Sequence, residues 1–233
     1  MTKLLVAALP LVLGGCVITE NARVGSPIHE SRSVDLGKFE MARVEVQMGA
    51  GELRAAGGAS KLLEADFDYN VPAWKPIIES NSASFRADVK IRQPSSGISG
   101  GNTDYKWNLR FNNDVPIDFV THLGAGEAKM DLGSMNLRSV EIHMGVGQLH
   151  LDLRGKPKQN YDVQIHGGVG EATVLVPASV GISAEASGGI GDIQVEGLER
   201  RNGRWVNSLN ASAPVRIRLE IHGGVGNIRL VAE

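Results

Sequence analysis

Four histidines, His122, His143, His166 and His222, each stand two residues ahead of a Gly-X-Gly triplet, and the first three recur at intervals of 21 and 23 residues. If each interval is one coil of a β-structure, His122, His143 and His166 stack about 4.8 Å apart on one outer surface. Imidazole pairs with carboxylates nearby are a zinc or copper ligand set, so these three are the candidate metal ligands. Glu127, Glu171 and Asp192, each three residues past the first glycine of its triplet, supply the acids. The competing reading is structural: any solenoid stacks identical residues, and a neutral imidazole can simply hydrogen-bond the backbone. In sequence order Ser187 falls between His166 and His222 and interrupts the column. Protonated rings at that spacing repel, so stability is expected to fall in mild acid. The acids could alternatively serve acid–base chemistry, but Gln148 interrupts them and Asn227 ends their row. No Ser/His/Asp or Cys/His set is visible, so the chain is expected to be no enzyme and to need no cofactor.

The elements that position these residues come from a repeat. Six Gly-X-Gly triplets pair Gly49 with Gly51, Gly124 with Gly126, Gly145 with Gly147, Gly168 with Gly170, Gly189 with Gly191 and Gly224 with Gly226. On either side apolar residues fall at every second place, as in Val44, Val46, Met48 or Val215, Ile217, Leu219, Ile221, which is the strand period. A repeat of about 20 residues cannot bury its own apolar face and must stack on a neighbour. The expected fold is all-β, a parallel single-stranded β-helix (β-solenoid) bent at its paired glycines. Its narrow aliphatic core accounts for an aromatic content of only 5%.

The last glycines of the first two triplets, Gly51 and Gly126, are 75 residues apart, room for about three coils without the glycine signature. Strands are expected at 62–69, 77–80, 83–93 and 105–112, as an irregular sheet that caps the N-terminal end of the solenoid, with Trp74 and Trp107 in the cap. The 35-residue spacing before the last triplet holds an insertion with Arg200, Arg201, Arg204 and Trp205. These types are enriched at binding hot spots, which makes the insertion the partner-binding candidate; a hairpin folding its tryptophan onto the sheet is the alternative. The final coil, with only seven residues after Gly226, reads as uncapped and open to self-association.

Residues 1–15 combine Lys3, an apolar run too short to span a bilayer and small residues before Cys16, the pattern of an export signal. Cys16 is the sole cysteine, so no disulfide forms within the chain. Residues 16–38 lack apolar periodicity and read as a tether, followed by an N-terminal β region (39–115) and the glycine-corner solenoid (116–233). A formal net charge of −2 offers no basic footprint for nucleic acid.

Leu13-Gly14-Gly15-Cys16 resembles the lipobox of bacterial lipoproteins, which implies lipidation of Cys16 and anchoring to a membrane. Val17, in place of an aspartate, then implies the outer membrane, facing the periplasm, in a Gram-negative cell. Gly49-Ala50-Gly51-Glu52-Leu53, Trp74-Lys75-Pro76 and the Gly-Val-Gly corners resemble the bacterial toast-rack family. Over 116–230 the chain is similar to the C-terminal domain of LiaF-type envelope-stress regulators and to adhesin domains on the same β-helix. The resemblance implies a non-catalytic extracytoplasmic domain tied to envelope damage or adhesion, with an unidentified envelope protein or glycan as partner. It departs from the LiaF type in showing a lipid anchor where transmembrane helices precede that domain.

Overall fold

A computed structural model describes residues 23–95 and 102–233; the expected export signal (residues 1–15) and Cys16 lie outside them. Among the described residues fourteen strands form one sheet wound into a flattened coil: β1 (Ile28–Val34), β2 (Met41–Gly57), β3 (Leu63–Tyr69), β4 (Ile77–Ser82), β5 (Arg86–Arg92), β6 (Tyr105–Phe111), β7 (Ile117–Asp131), β8 (Leu137–Asp152), β9 (Tyr161–Val176), β10 (Gly181–Ile190), β11 (Ile193–Glu196), β12 (Glu199–Arg201), β13 (Arg204–Val206) and β14 (Arg216–Ala232). The structure is the expected all-β solenoid.

Each long strand runs straight through its glycine triplet and is bent there, so it contributes one arm to each wall of the coil. Inward side chains meet across the narrow interior. The column Val44, Phe119, Val140, Val163, Leu219 and Ala184 on the first arm faces Ala55, Met130, Leu151, Val174, Leu230 and Val195 on the second, and all but Val195 are buried. Each fully buried Val or Leu contributes about 1.5–3 kcal/mol.

The stacking order departs from sequence order at both ends. β2 pairs in parallel with β7, and the long stretch between their triplets does not form coils between them. Instead β5 and β6 together make one further coil on the other side of β2, and β4, β3 and β1 add antiparallel strands beyond it. At the opposite end β14 inserts between β9 and the β10–β11 coil, in register with both. β14 is therefore paired along both edges, and the expected open coil at Gly226 is an interior one. The outermost coil is β10–β11. The insertion folds as the β12–β13 hairpin and covers only β10.

Two segment boundaries change. Within 16–38, Ile28–Val34 is a strand on β3 rather than tether; its half-buried face alternates Ile28, Glu30, Arg32 and Val34, and the polar pair hides the apolar period. No break separates 39–115 from 116–233, because β2 and β7 share one ladder. As expected, aromatic residues gather at the N-terminal end: Trp107 packs edge-on to Phe67 (5.5 Å) and Tyr105 (5.6 Å), and the Tyr105 hydroxyl donates to the Trp74 carbonyl (2.6 Å).

Candidate functional site

The bend gives every coil the same order of side chains. An outward residue ends the first arm, an inward residue follows, then glycine, an outward aliphatic residue, the second glycine and an outward polar residue. The second glycine has φ between +130° and +147° in all six copies, a region L-residues rarely adopt. At Gly170 a Cβ would also run into the Gly147 carbonyl below it. Stacking the bends in register writes three ladders along the outside of the molecule.

The first is the imidazole ladder. His122, His143, His166 and His222 stack consecutively, with ring centroids 4.8, 5.0 and 5.4 Å apart and planes within 20° of parallel. Because β14 lies between β9 and β10, His222 follows His166 directly and Ser187 sits beyond it, so Ser187 terminates the column instead of interrupting it. A hydrogen bond of 2.8 Å joins the Ser187 hydroxyl to His222 Nδ1. His143 Nε2 donates to Glu141 Oε1 at 2.7 Å, and this bond holds the Glu141 carboxyl below its usual value. At the other end Gln47 takes the histidine position, and Gln93 accepts the Gly49 amide through its side-chain oxygen (2.7 Å).

Stacked rings face one another with their planes, not with convergent nitrogens. Zinc–nitrogen bonds of about 2.0–2.1 Å need nitrogens that converge on one point. Among the described residues no three His, Cys, Asp or Glu side chains gather to hold a metal ion. The expected set of His122, His143 and His166 is thus brought into one column but not into a chelating cluster. The acids are only partly spaced out: stacking order runs Glu52, Glu127, Gln148, Glu171, Asn227, Asp192, so Glu52 and Glu127 are direct neighbours, an amide separates each later carboxylate from the next, and Asp192 rather than Asn227 ends the row.

The second ladder is a ridge of the middle residues, Ala50, Ala125, Val146, Val169, Val225 and Ile190. Val146 is 54% and Ile190 72% exposed. Between ridge and imidazoles runs the third, a bare track of first glycines. It floors a groove of about 620 Å³ bordered by Gln47, Gln93, His122, His143 and His166. The ridge was legible in the aliphatic character of every middle residue; Gln93, in the connection between β5 and β6, carries no motif.

The insertion divides. Arg204 donates to the Ser183 hydroxyl (2.8 Å) and pairs with Glu185 (3.1 Å), while Trp205 is half-buried against the core, so both fasten the hairpin to β10. Arg200 and Arg201 are exposed: Arg200 lies 5.7 Å over the Trp205 ring, and Arg201 pairs with Glu199.

Comparison with known proteins sets this geometry in a family. The N-terminal domain of toast_rack matches residues 23–175. The chain belongs to the toast-rack family. The model described as "Cell wall-active antibiotics response LiaF, C-terminal" matches residues 122–230. A solved "putative cell adhesion protein" from Clostridium sporogenes is 32% identical, with a TM-score of 0.86 over 89% of this chain and all of that one. A "putative adhesin" from Bacteroides fragilis covers 89% of this toast-rack chain and 99% of its own at 10% identity, but its TM-score of 0.30 is too low to support any argument. No curated protein matches. The two family matches and the Clostridium relative fit a non-catalytic cell-envelope protein. Among the described residues no helix is long and apolar enough to cross a membrane.

Proposed function

We propose that this toast-rack protein is a lipid-anchored, non-catalytic platform of the cell envelope that holds an extended partner along its corner face. The observation that carries the reading is the glycine-floored groove between an unbroken imidazole ladder and an exposed aliphatic ridge. A rigid stack of in-register strands presents one chemical row every 4.8 Å or so, which suits a ligand that is itself linear, a glycan strand or an extended segment of an envelope protein. The LiaF-type match supports a role for this platform in the response to cell-wall-active antibiotics. The Clostridium relative favours a second reading, adhesion at the cell surface.

The test is crosslinked affinity capture from envelopes with Cys16 intact, comparing the native protein with a variant carrying His122→Ala, His143→Ala and His166→Ala. The expected result is a captured species that is lost in the variant at unchanged melting temperature. Capture of the same species by both would remove the corner face as the site. Metabolic labelling with a fatty acid, abolished by Cys16→Ser, checks the anchor, and antibody access on intact cells separates the adhesive reading from the periplasmic one.

A further inference from the structure

The outermost coil ends in a step. On the first wall the hairpin adds two strands, β13 and β12, beyond β10; on the second wall no strand among the described residues pairs with the far side of β11. The ladders fix which backbone groups each edge leaves over. Ile228 donates to the Asp192 carbonyl, so Asp192, Gln194 and Glu196 turn their backbone groups to β14, and Ile193 and Val195 turn theirs to the vacant side. Asn202 and Gly203, both at positive φ, form the two-residue turn of the hairpin, which makes Arg201 and Arg204 a hydrogen-bonded pair. Glu199 and Arg201 therefore bond to β13, and Arg200 turns its amide and carbonyl away from the hairpin. Side chains at the step are bare as well: Ile193 is 38% exposed, and Arg200 lies exposed over the Trp205 ring.

We propose that two copies of this chain join head to head at the step, β12 of each pairing antiparallel with β11 of the other. The step selects a second copy because it is its own complement. A two-fold axis across the stack, through the bend and midway between the walls, inverts the stack and exchanges the walls. The two protruding strands of each copy then fill the space of about 10 Å, two strand spacings, that the other leaves on its second wall. Strand direction agrees. β12 runs parallel to β10, since two antiparallel pairings separate them, whereas β11 runs back from the bend, so the two meet antiparallel across the axis. Level agrees too. Arg200 pairs with Trp205 and Trp205 with Ala184, six residues before Ile190 at the tip of the bend, and Val195 stands five residues after that tip. Setting Arg200 opposite Val195 joins residues whose backbone groups are unused, keeps both side chains on the inner face and covers Ile193. On the outer face Glu199 meets Glu196 of the second copy, and the guanidiniums that already pair with these acids, Arg201 and Arg229, complete a neutral quartet. A foreign edge strand could complete one wall; an inverted copy completes both at once and leaves no open edge at this end. The assembly does not depend on the platform reading, because it uses the end of the stack and not the corner face.

The experiment is sedimentation equilibrium of the Cys16→Ser chain, in which no acyl group can associate the copies. A dimer is expected, with its dissociation constant raised about tenfold or more by Val195→Pro and by Arg200→Pro. Each proline removes an amide that a single copy leaves to water, so the melting temperature of dilute protein should be kept. In the same background Gln194→Cys together with Arg201→Cys sets two thiols opposite each other at each junction, and mild oxidation should give a covalent dimer that neither substitution gives alone. Within one copy the two positions face outward from opposite walls and cannot meet. A monomer at the highest soluble concentration overturns the proposal, as does a dimer that a folded proline variant leaves intact or that the paired cysteines fail to trap. If one proline variant does not fold, the other decides together with the cysteine pair.

Discussion

The two ends of the stack solve the same problem unequally. At the N-terminal end the last coil, β5–β6, is covered on both walls by antiparallel strands, and its interior is plugged by Trp107, Tyr105, Phe67 and Trp74. At the other end the β12–β13 hairpin covers the first wall only. Ile182 and Ala184 are fully buried beneath it, whereas on the second wall Ile193 remains 38% exposed although its register partner Ile228 lies in the core. A solenoid thus needs a dedicated closure for each wall, because its repeats bury side chains only against other repeats. The bends at Gly167, Gly223 and Gly188, where the earlier coils carry Met48, Leu123 and Met144, belong to the same loosely closed half.

The largest test of this contrast is Trp107→Ala, expected to cost about 3–5 kcal/mol by denaturant unfolding, against about 1–2 kcal/mol for Trp205→Ala at the half-covered end. Equal costs would show the two closures to be equivalent. Gly170→Ala combines a disfavoured φ with a backbone collision and is expected to cost about 2 kcal/mol, whereas Gly167→Ala, three residues earlier, should be neutral or stabilising by about 0.4–1 kcal/mol. The pair separates bending from plugging at one corner. Thr121 is fully buried in an otherwise apolar column and its hydroxyl finds no partner among the described residues, so Thr121→Val should stabilise by about 1 kcal/mol.

The smallest effects are pH-dependent and of opposite sign in the two regions. Glu141, in mid-stack, has its carboxyl lowered chiefly by the His143 hydrogen bond. Its contribution is present above the unfolded value of about 4.5 and is lost as pH falls through the lower folded value, so the melting-temperature loss in that acid range should be shallower in Glu141→Gln. His29, on the edge strand β1, is raised by its hydrogen bond to Asp68 (2.7 Å). Its contribution is complete below the unfolded value of 6.5 and is lost as pH rises through the higher folded one, so amide exchange in β1 should quicken with pH beyond the intrinsic trend, and the excess should vanish in Asp68→Asn.

The repeat itself was readable because Gly-X-Gly flanked by period-two aliphatics has one economical arrangement, and the imidazole column came with it. The stacking order was hidden. Val169 and Val225, His166 and His222, or Gly170 and Gly226 are so alike that a ladder of β9 on β14 and one of β9 on β10 look equivalent from the residues alone. What distinguishes them is non-local: the β13 hairpin needs an unpaired edge of β10, which remains when β14 occupies its other edge. The change from Met48, Leu123 and Met144 to Gly167, Gly188 and Gly223 was also present in the sequence, but its meaning required knowing that this position points inward.

The placement of β14 fixes an order of assembly. When β10 to β13 have been made, a vacancy one strand wide must still separate them from β9, and both borders of that vacancy expose unpaired amides until Arg216–Ala232 arrives to close it. A chain that folds in sequence order can lay β8 on β7 and β9 on β8 as each appears, yet it cannot seat its outermost coil until the later strand has arrived.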